Sequence, residues 1–202
     1  MNFLAHLLLA GSDDGLRLGA LLGDFVRGGM DDSVLPENVQ KGIQLHRFID
    51  QHLDSLPEMA ELRQTFESPF RRYAGIILDV AFDHELAVHW SEYSSLSLDQ
   101  FDKNVRSLLA EYDELLPDEL KGFMRYADRR GLFANYRNKE EILFSLAGVG
   151  RRLSRSNPLH RVGEIWDKHE KDFASGFEQI FPQIQRAVSD WLANGGKSAQ
   201  AN

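Results

Sequence analysis

The sequence predicts an all-α fold, a single-domain helical bundle of about eight helices, and three observations carry that expectation. Apolar residues recur at helical spacing along the 202-residue chain, while strand-like alternation is scarce. Proline, glycine and Ser/Asp/Asn signals cut the chain into segments of helical length joined by short connections. No internal repeat, long linker or composition shift separates one part from another, so residues 1–194 read as one domain. The closing GGKSAQAN, 195–202, is expected to be a disordered tail.

In chain order, Ser12 to Asp14 cap a helix through GLRLGALLGDFVRGG, which Gly28–Gly29 would stop. Within it, Gly19-x-x-x-Gly23 reads as a spot where another helix packs closely, not as a ligand loop. Pro36 suits the first turn of a helix carrying QLHRFIDQHLD. Ser55-Leu-Pro-Glu58 reads as a capping box opening a short helix, and Ser97-x-x-Gln100 as a second one. Between them a long apolar helix is expected from Pro69 to about Tyr93. Pro117 and Asn138 mark later starts, and Asn157-Pro158 opens a C-terminal helical region, bent or split near Pro182.

Composition narrows the chemistry. Without cysteine, any metal must be held by histidine and carboxylate. A net charge of −8 argues against nucleic acid as a partner. The apolar N-terminal stretch fits neither a signal peptide nor a membrane span, so a cytoplasmic protein with no membrane partner is expected. Basic residues cluster locally in RRLSRSNPLHR, residues 151–161. That run is either a solvated helix end or a docking site for an acidic partner.

The stretch LDVAFDHELAVHW, residues 78–90, places ionisable groups among apolar ones, where they need a partner or a metal. At about 100° per residue, Asp79 and Asp83 lie only about 40° apart on one stripe. His84 falls about 140° from Asp79 on one side and His89 about 80° on the other, so at most one can join the aspartates. His46 and Asp50 form a second pair one turn apart, with Arg47 beside them. Asp24 and Arg27 are neighbours on the glycine-containing helix. Such pairs on facing helices can build an imidazole–carboxylate site suited to Mn²⁺, Mg²⁺ or Fe²⁺.

Taken together, MNFLAHL, LLGDFVRG, HRFIDQHLDSLPE, ILDVAFDHELAVHW and RRLSR with a later W-D run in order from residue 1 to about 185. They closely resemble the acyl carrier protein phosphodiesterases, also called acyl carrier protein hydrolases. The resemblance implies an all-α, HD-like fold, a divergent branch of the HD-type metal-dependent phosphohydrolases. It implies an enzyme of lipid metabolism that removes 4′-phosphopantetheine from holo-acyl carrier protein with a divalent ion, typically Mn²⁺. The HD superfamily's His-Asp dipeptide is absent here, and Asp83-His84 has the reverse order, so the superfamily ligands do not map one by one.

On that resemblance His46, Asp50, Asp79 and Asp83 are expected to ligate the metal, with Asp24 ligating or orienting water. Arg27 and Arg47 would hold phosphoryl oxygens. His84, His89 and His6 compete for the general acid. Phe25, Phe82 and Trp90 are offered as channel wall or, more simply, core. Arg151, Arg152, Arg155 and Arg161 would dock the carrier protein. Two other functions fit the same residues: a phosphohydrolase of nucleotides or small phosphodiesters, and a non-enzymatic helical binding module.

Overall fold

The computed structural model describes residues 3–26, 35–130 and 133–196. Among them are nine α-helices and no strand. They are α1 (Phe3–Leu9), α2 (Asp14–Leu22), α3 (Glu37–Ser55), α4 (Pro57–Thr65), α5 (Ala74–Val88), α6 (Leu98–Glu111), α7 (Asp118–Arg130), α8 (Lys139–Arg152) and α9 (Gly163–Ala193). None of these helices is long and apolar enough to cross a membrane.

The punctuation works mostly as expected. Asp13 caps α2 by accepting the Leu16 N–H at 2.8 Å, and Ser97 caps α6 by accepting the Gln100 N–H at 3.2 Å. The Ser55 box does not form: Ser55 Oγ donates back to the His52 carbonyl, and Leu56 stands at the N-cap of α4. The long apolar helix is shorter than expected, α5 being flanked by 3-10 turns at Arg71–Tyr73 and Trp90–Glu92. α2 stops at Leu22, before Gly28 and Gly29, which lie outside the described residues. α9 is not split, because Pro182 frees only the carbonyl of exposed Glu178, which water can hold. Gly195 and Gly196 close it at φ 69° and 87°, where glycine is favoured. Residues 197–202 of the expected tail lie outside the described residues.

α9 supplies one long side of the core. Trp166, Phe173, Phe177, Phe181 and Ile184 follow helical spacing and are all buried. Phe177 meets Phe82 of α5 edge-on at 5.9 Å and stacks on Phe181 at 4.8 Å. This packing fixes α5 as the central helix, buried along most of its length, with α1 laid against it.

The closest helix pair is α2 with α3, and glycines explain why. Gly15, Gly19 and Gly23 recur every fourth residue along α2, opposite Asn38, Gly42 and His46 at the same interval on α3. A Cβ on Gly19 would lie 2.1 Å from the Val39 carbonyl oxygen, and one on Gly42 would lie 2.4 Å from that of Leu16. Only hydrogen fits there, so the two backbones touch and the C-terminal end of α2 is brought onto His46.

Candidate metal centre and its cleft

Four side chains converge where α1, the end of α2 and α3 meet. His6 comes from α1, His46 and Asp50 from successive turns of α3, and Asp24 from the turn after α2. The His6 and His46 rings stack with centroids 4.1 Å apart and planes 20° from parallel. Asp50 bridges them: Oδ1 stands 3.2 Å from His6 Nε2 and Oδ2 stands 3.2 Å from His46 Nε2. Asp24 Oδ1 approaches His46 Nε2 at 3.5 Å from the other side. His6, His46 and Asp50 each offer one ligand atom, all within 4.8 Å of one another.

Second-layer contacts decide what these atoms can do. His46 Nδ1–H donates to the Ala20 carbonyl at 2.8 Å, which leaves Nε2 to face the carboxylates. His6 is buried, and neither ring nitrogen makes an aligned hydrogen bond; Asp50 Oδ1 meets its Nε2 as an ion-pair contact only. Burial holds it neutral, pushing its pKa down to about 4 despite the neighbouring Asp50 carboxylate. For His46 burial acts in the same sense, but Asp24 and Asp50 outweigh it and raise the pKa to about 9. The reciprocal effect holds both carboxylates below their ordinary range: burial works to raise them, and the histidines overcome it.

Lone pairs on three converging residues thus meet where a positive charge is required. In the metal-free protein the His46 proton supplies it. A divalent cation fits better, because it also satisfies the unpartnered His6 nitrogen, and two imidazoles with carboxylates suit a borderline or hard ion.

The centre opens on a cleft of about 1110 Å³. Asp24, Asp50 and Asp79 line it, and so do Arg151 and Arg152 at the end of α8. Phe3 and Phe25 add an apolar stretch beside the centre, their rings 6.1 Å apart. Burial pushes the Asp79 carboxyl above the usual carboxylate range, and the charge on Asp50 adds to this. Arg151 lies back along its helix, over the Phe144 ring at 5.4 Å and close above Gly148, which itself lines the cleft.

The sequence profile of the acyl carrier protein phosphodiesterase family matches residues 1–184. The chain belongs to this family. Acyl carrier protein phosphodiesterases of Escherichia coli O6:H1 and O45:K1 are each 36% identical to it over 193 residues, covering 94% of this chain and 98% of theirs. No solved structure gives a significant match.

For this member of the acyl carrier protein phosphodiesterase family, the structure sorts the expected site residues. It brings together His46, Asp50 and Asp24, and places Asp79 on the same cleft. It separates Asp83 from them. That carboxylate is fully buried and accepts the backbone N–H groups of Leu4 and Ala5, so both its oxygens hold α1 instead of facing an ion. His84 does not line the cleft; its Nδ1 donates to the Tyr136 carbonyl at 2.7 Å and its ring meets Trp166 edge-on. His89, at the end of α5, sits between Glu85 and Glu92, also off the cleft.

His6, expected only as one competitor for the general acid, is instead part of the metal-type cluster. The signal was a lone histidine inside the wholly apolar run FLAHLLL. Arg47 is exposed and reaches the Val26 carbonyl at 3.4 Å, while Arg27 lies outside the described residues. Phe82 and Trp90 are core, and of the three suggested wall residues Phe25 alone lines the cleft. The basic run also divides. Arg161 makes a two-point ion pair with Glu164 at 2.8 Å, whereas Arg151, Arg152 and Arg155 are exposed and make no ion pair among the described residues.

Proposed function

We infer that this chain is a cytoplasmic acyl carrier protein phosphodiesterase. It hydrolyses the phosphodiester joining 4′-phosphopantetheine to the serine of holo-acyl carrier protein, using Mn²⁺ held by His6, His46 and Asp50. The convergence of those three residues beside a cleft that Asp50 lines, in a chain of this family, is the observation that carries the reading.

A divalent ion held there by His6, His46 and Asp50 would acidify water near neutral pH and screen the charge of the phosphoryl oxygens. The remaining work falls to the protein. The Ala20 carbonyl fixes the His46 tautomer and ring orientation. Asp24, kept ionised by His46 and half-exposed toward the cleft, orients the attacking water and accepts its proton. As the water oxygen bonds to phosphorus, the phosphorus–oxygen bond to the carrier serine breaks, and the proton taken up by Asp24 passes, through solvent, to the serine oxygen. The products are apo-carrier and the phosphopantetheine monoester. Phe3 and Phe25 give the apolar part of the arm a surface to lie on. Arg151, Arg152 and Arg155 face the acidic carrier with unneutralised charge, so a chain of net charge −8 still attracts it locally.

The test is to incubate the protein with holo-acyl carrier protein and Mn²⁺ and weigh the carrier by mass spectrometry. Loss of the phosphopantetheine mass is expected. A carrier left intact with Mn²⁺, Mg²⁺ and Fe²⁺ alike refutes the reading, and turnover of bis-p-nitrophenyl phosphate alone would favour a small phosphodiester as substrate.

A further inference from the structure

The two histidines of the centre are held in different ways. A histidine that ligates a metal is ordinarily aimed by a hydrogen bond from its other ring nitrogen. His46 has that bond, to the Ala20 carbonyl. His6 has none on either nitrogen, although it is buried beside the same carboxylate. Beyond the stacking on His46 and the contact with Asp50, its aim depends on its backbone, on a helix of seven residues. So short a helix has little stability of its own, and whatever grips it sets its position.

Asp83 is that grip. Its Oδ2 accepts the Leu4 N–H at 2.8 Å and its Oδ1 accepts the Ala5 N–H at 3.1 Å. These are first-turn amides that no intrahelical carbonyl can reach. The carboxylate is at 0% exposure, so water cannot take over its role if it is removed. The clamped amides lie one and two residues before His6, about 1.5 and 3 Å along the helix axis. The clamp crosses 79 and 78 residues of sequence, tying α1 to the central helix α5. Asp79, one turn earlier on α5, lines the cleft.

We propose that Asp83 is a positioning residue for the metal centre, holding the first turn of α1 so that His6 is presented to the ion alongside His46 and Asp50. The inference rests on the metal reading of the centre and goes beyond it in assigning a role to a residue that touches neither ion nor substrate.

A double-mutant cycle on the full chain tests this, with Mn²⁺ affinity measured by electron paramagnetic resonance for wild type, Asp83→Asn, His6→Ala and the double variant. An asparagine keeps the shape but retains one acceptor oxygen, so one clamped amide is lost. Asp83→Asn should weaken Mn²⁺ binding about tenfold when His6 is present and less than about twofold when it is absent. A purely structural role would lower the melting temperature and the affinity to the same extent in both backgrounds, and that outcome overturns the proposal. A second measurement needs no variant. By linkage, an ion that engages His6 must tighten the clamp, so Mn²⁺ should slow hydrogen exchange in the peptide spanning residues 3–9. Unchanged exchange in a protein that binds Mn²⁺ overturns the proposal even if Asp83→Asn does not fold. A wild-type protein that binds no Mn²⁺ overturns the metal reading itself, and the positioning role with it.

Discussion

Replacing Gly23 with alanine should disable the centre without touching any of its ligands. The φ of Gly23 is −51°, in the ordinary right-handed region, so an alanine there meets no backbone penalty. The cost is contact: the new Cβ would lie 2.3 Å from His46 Cγ and 2.7 Å from its Cβ. Carbon atoms settle at about 3.5–4.0 Å, so the ring or the end of α2 must move by about 1.2 Å or more. Overpacking of this kind costs about 1–3 kcal/mol, or roughly 2–12 °C in Tm at this chain length. A displacement of about 1 Å at a reacting centre lowers kcat/KM about 100-fold. Gly176→Ala is the control, since its Cβ would meet the Leu62 side chain at 2.6 Å on the α4–α9 contact, away from the cleft. The assay is carrier mass loss in single-turnover format, with Tm measured on the same samples. The reasoning fails if Gly23→Ala keeps kcat/KM within threefold of wild type, or if Gly176→Ala loses as much at equal Tm loss.

Other expectations follow from the same geometry. Asp50→Asn removes the carboxylate that bridges both histidines, so Mn²⁺ at 100 times the wild-type Kd should no longer add its stabilisation of about 2.7 kcal/mol, read as the Tm difference with and without metal. The raised pKa of His46 means that, without metal, its contribution to stability is full below 6.5 and disappears as pH rises through about 9. Metal-free Tm should decline over that window with His46 titrating near its upper end by NMR; a His46 that titrates at 6.5 contradicts the ion-pair geometry. Arg151→Ala with Arg152→Ala should raise KM for the carrier several-fold and flatten its salt dependence, while Arg161→Ala, already neutralised by Glu164, leaves both unchanged. His89→Gln should keep kcat within about twofold, because the side chain faces Glu85 and Glu92 and not the cleft.

Within single helices the sequence was legible, and between helices it was not. The i, i+4 pair His46 and Asp50 followed from one helix's geometry, and so did the close contact at Gly19 and Gly23. Asp79 and Asp83 share a stripe, as the periodicity requires, yet one lines the cleft and the other clamps α1. Periodicity gives a direction and not a neighbour, and α1 was the neighbour that could not be read. Its six buried residues out of seven leave no polar face for periodicity to detect. The basic run was visible as charge, but the pairing of Arg161 with Glu164 depends on a 3-10 turn joining the next helix. His84 and His89 looked reactive because they sat near aspartates in sequence, whereas Tyr136 and Glu92 are their partners in space.

The cleft has one further consequence, for how such a protein can change. The residues proposed to hold the ion all come from the first 50 positions, on α1 and α3. Two arginines that line the same cleft and make no ion pair among the described residues come from the end of α8, about 100 positions later. Under the proposed function, chemistry and recognition are therefore written in separate passages of the chain and meet at the cleft. Substitutions on the α8 side can retune which acidic partner is gripped, or how tightly, while the electrostatics of the ion pocket stay as they are.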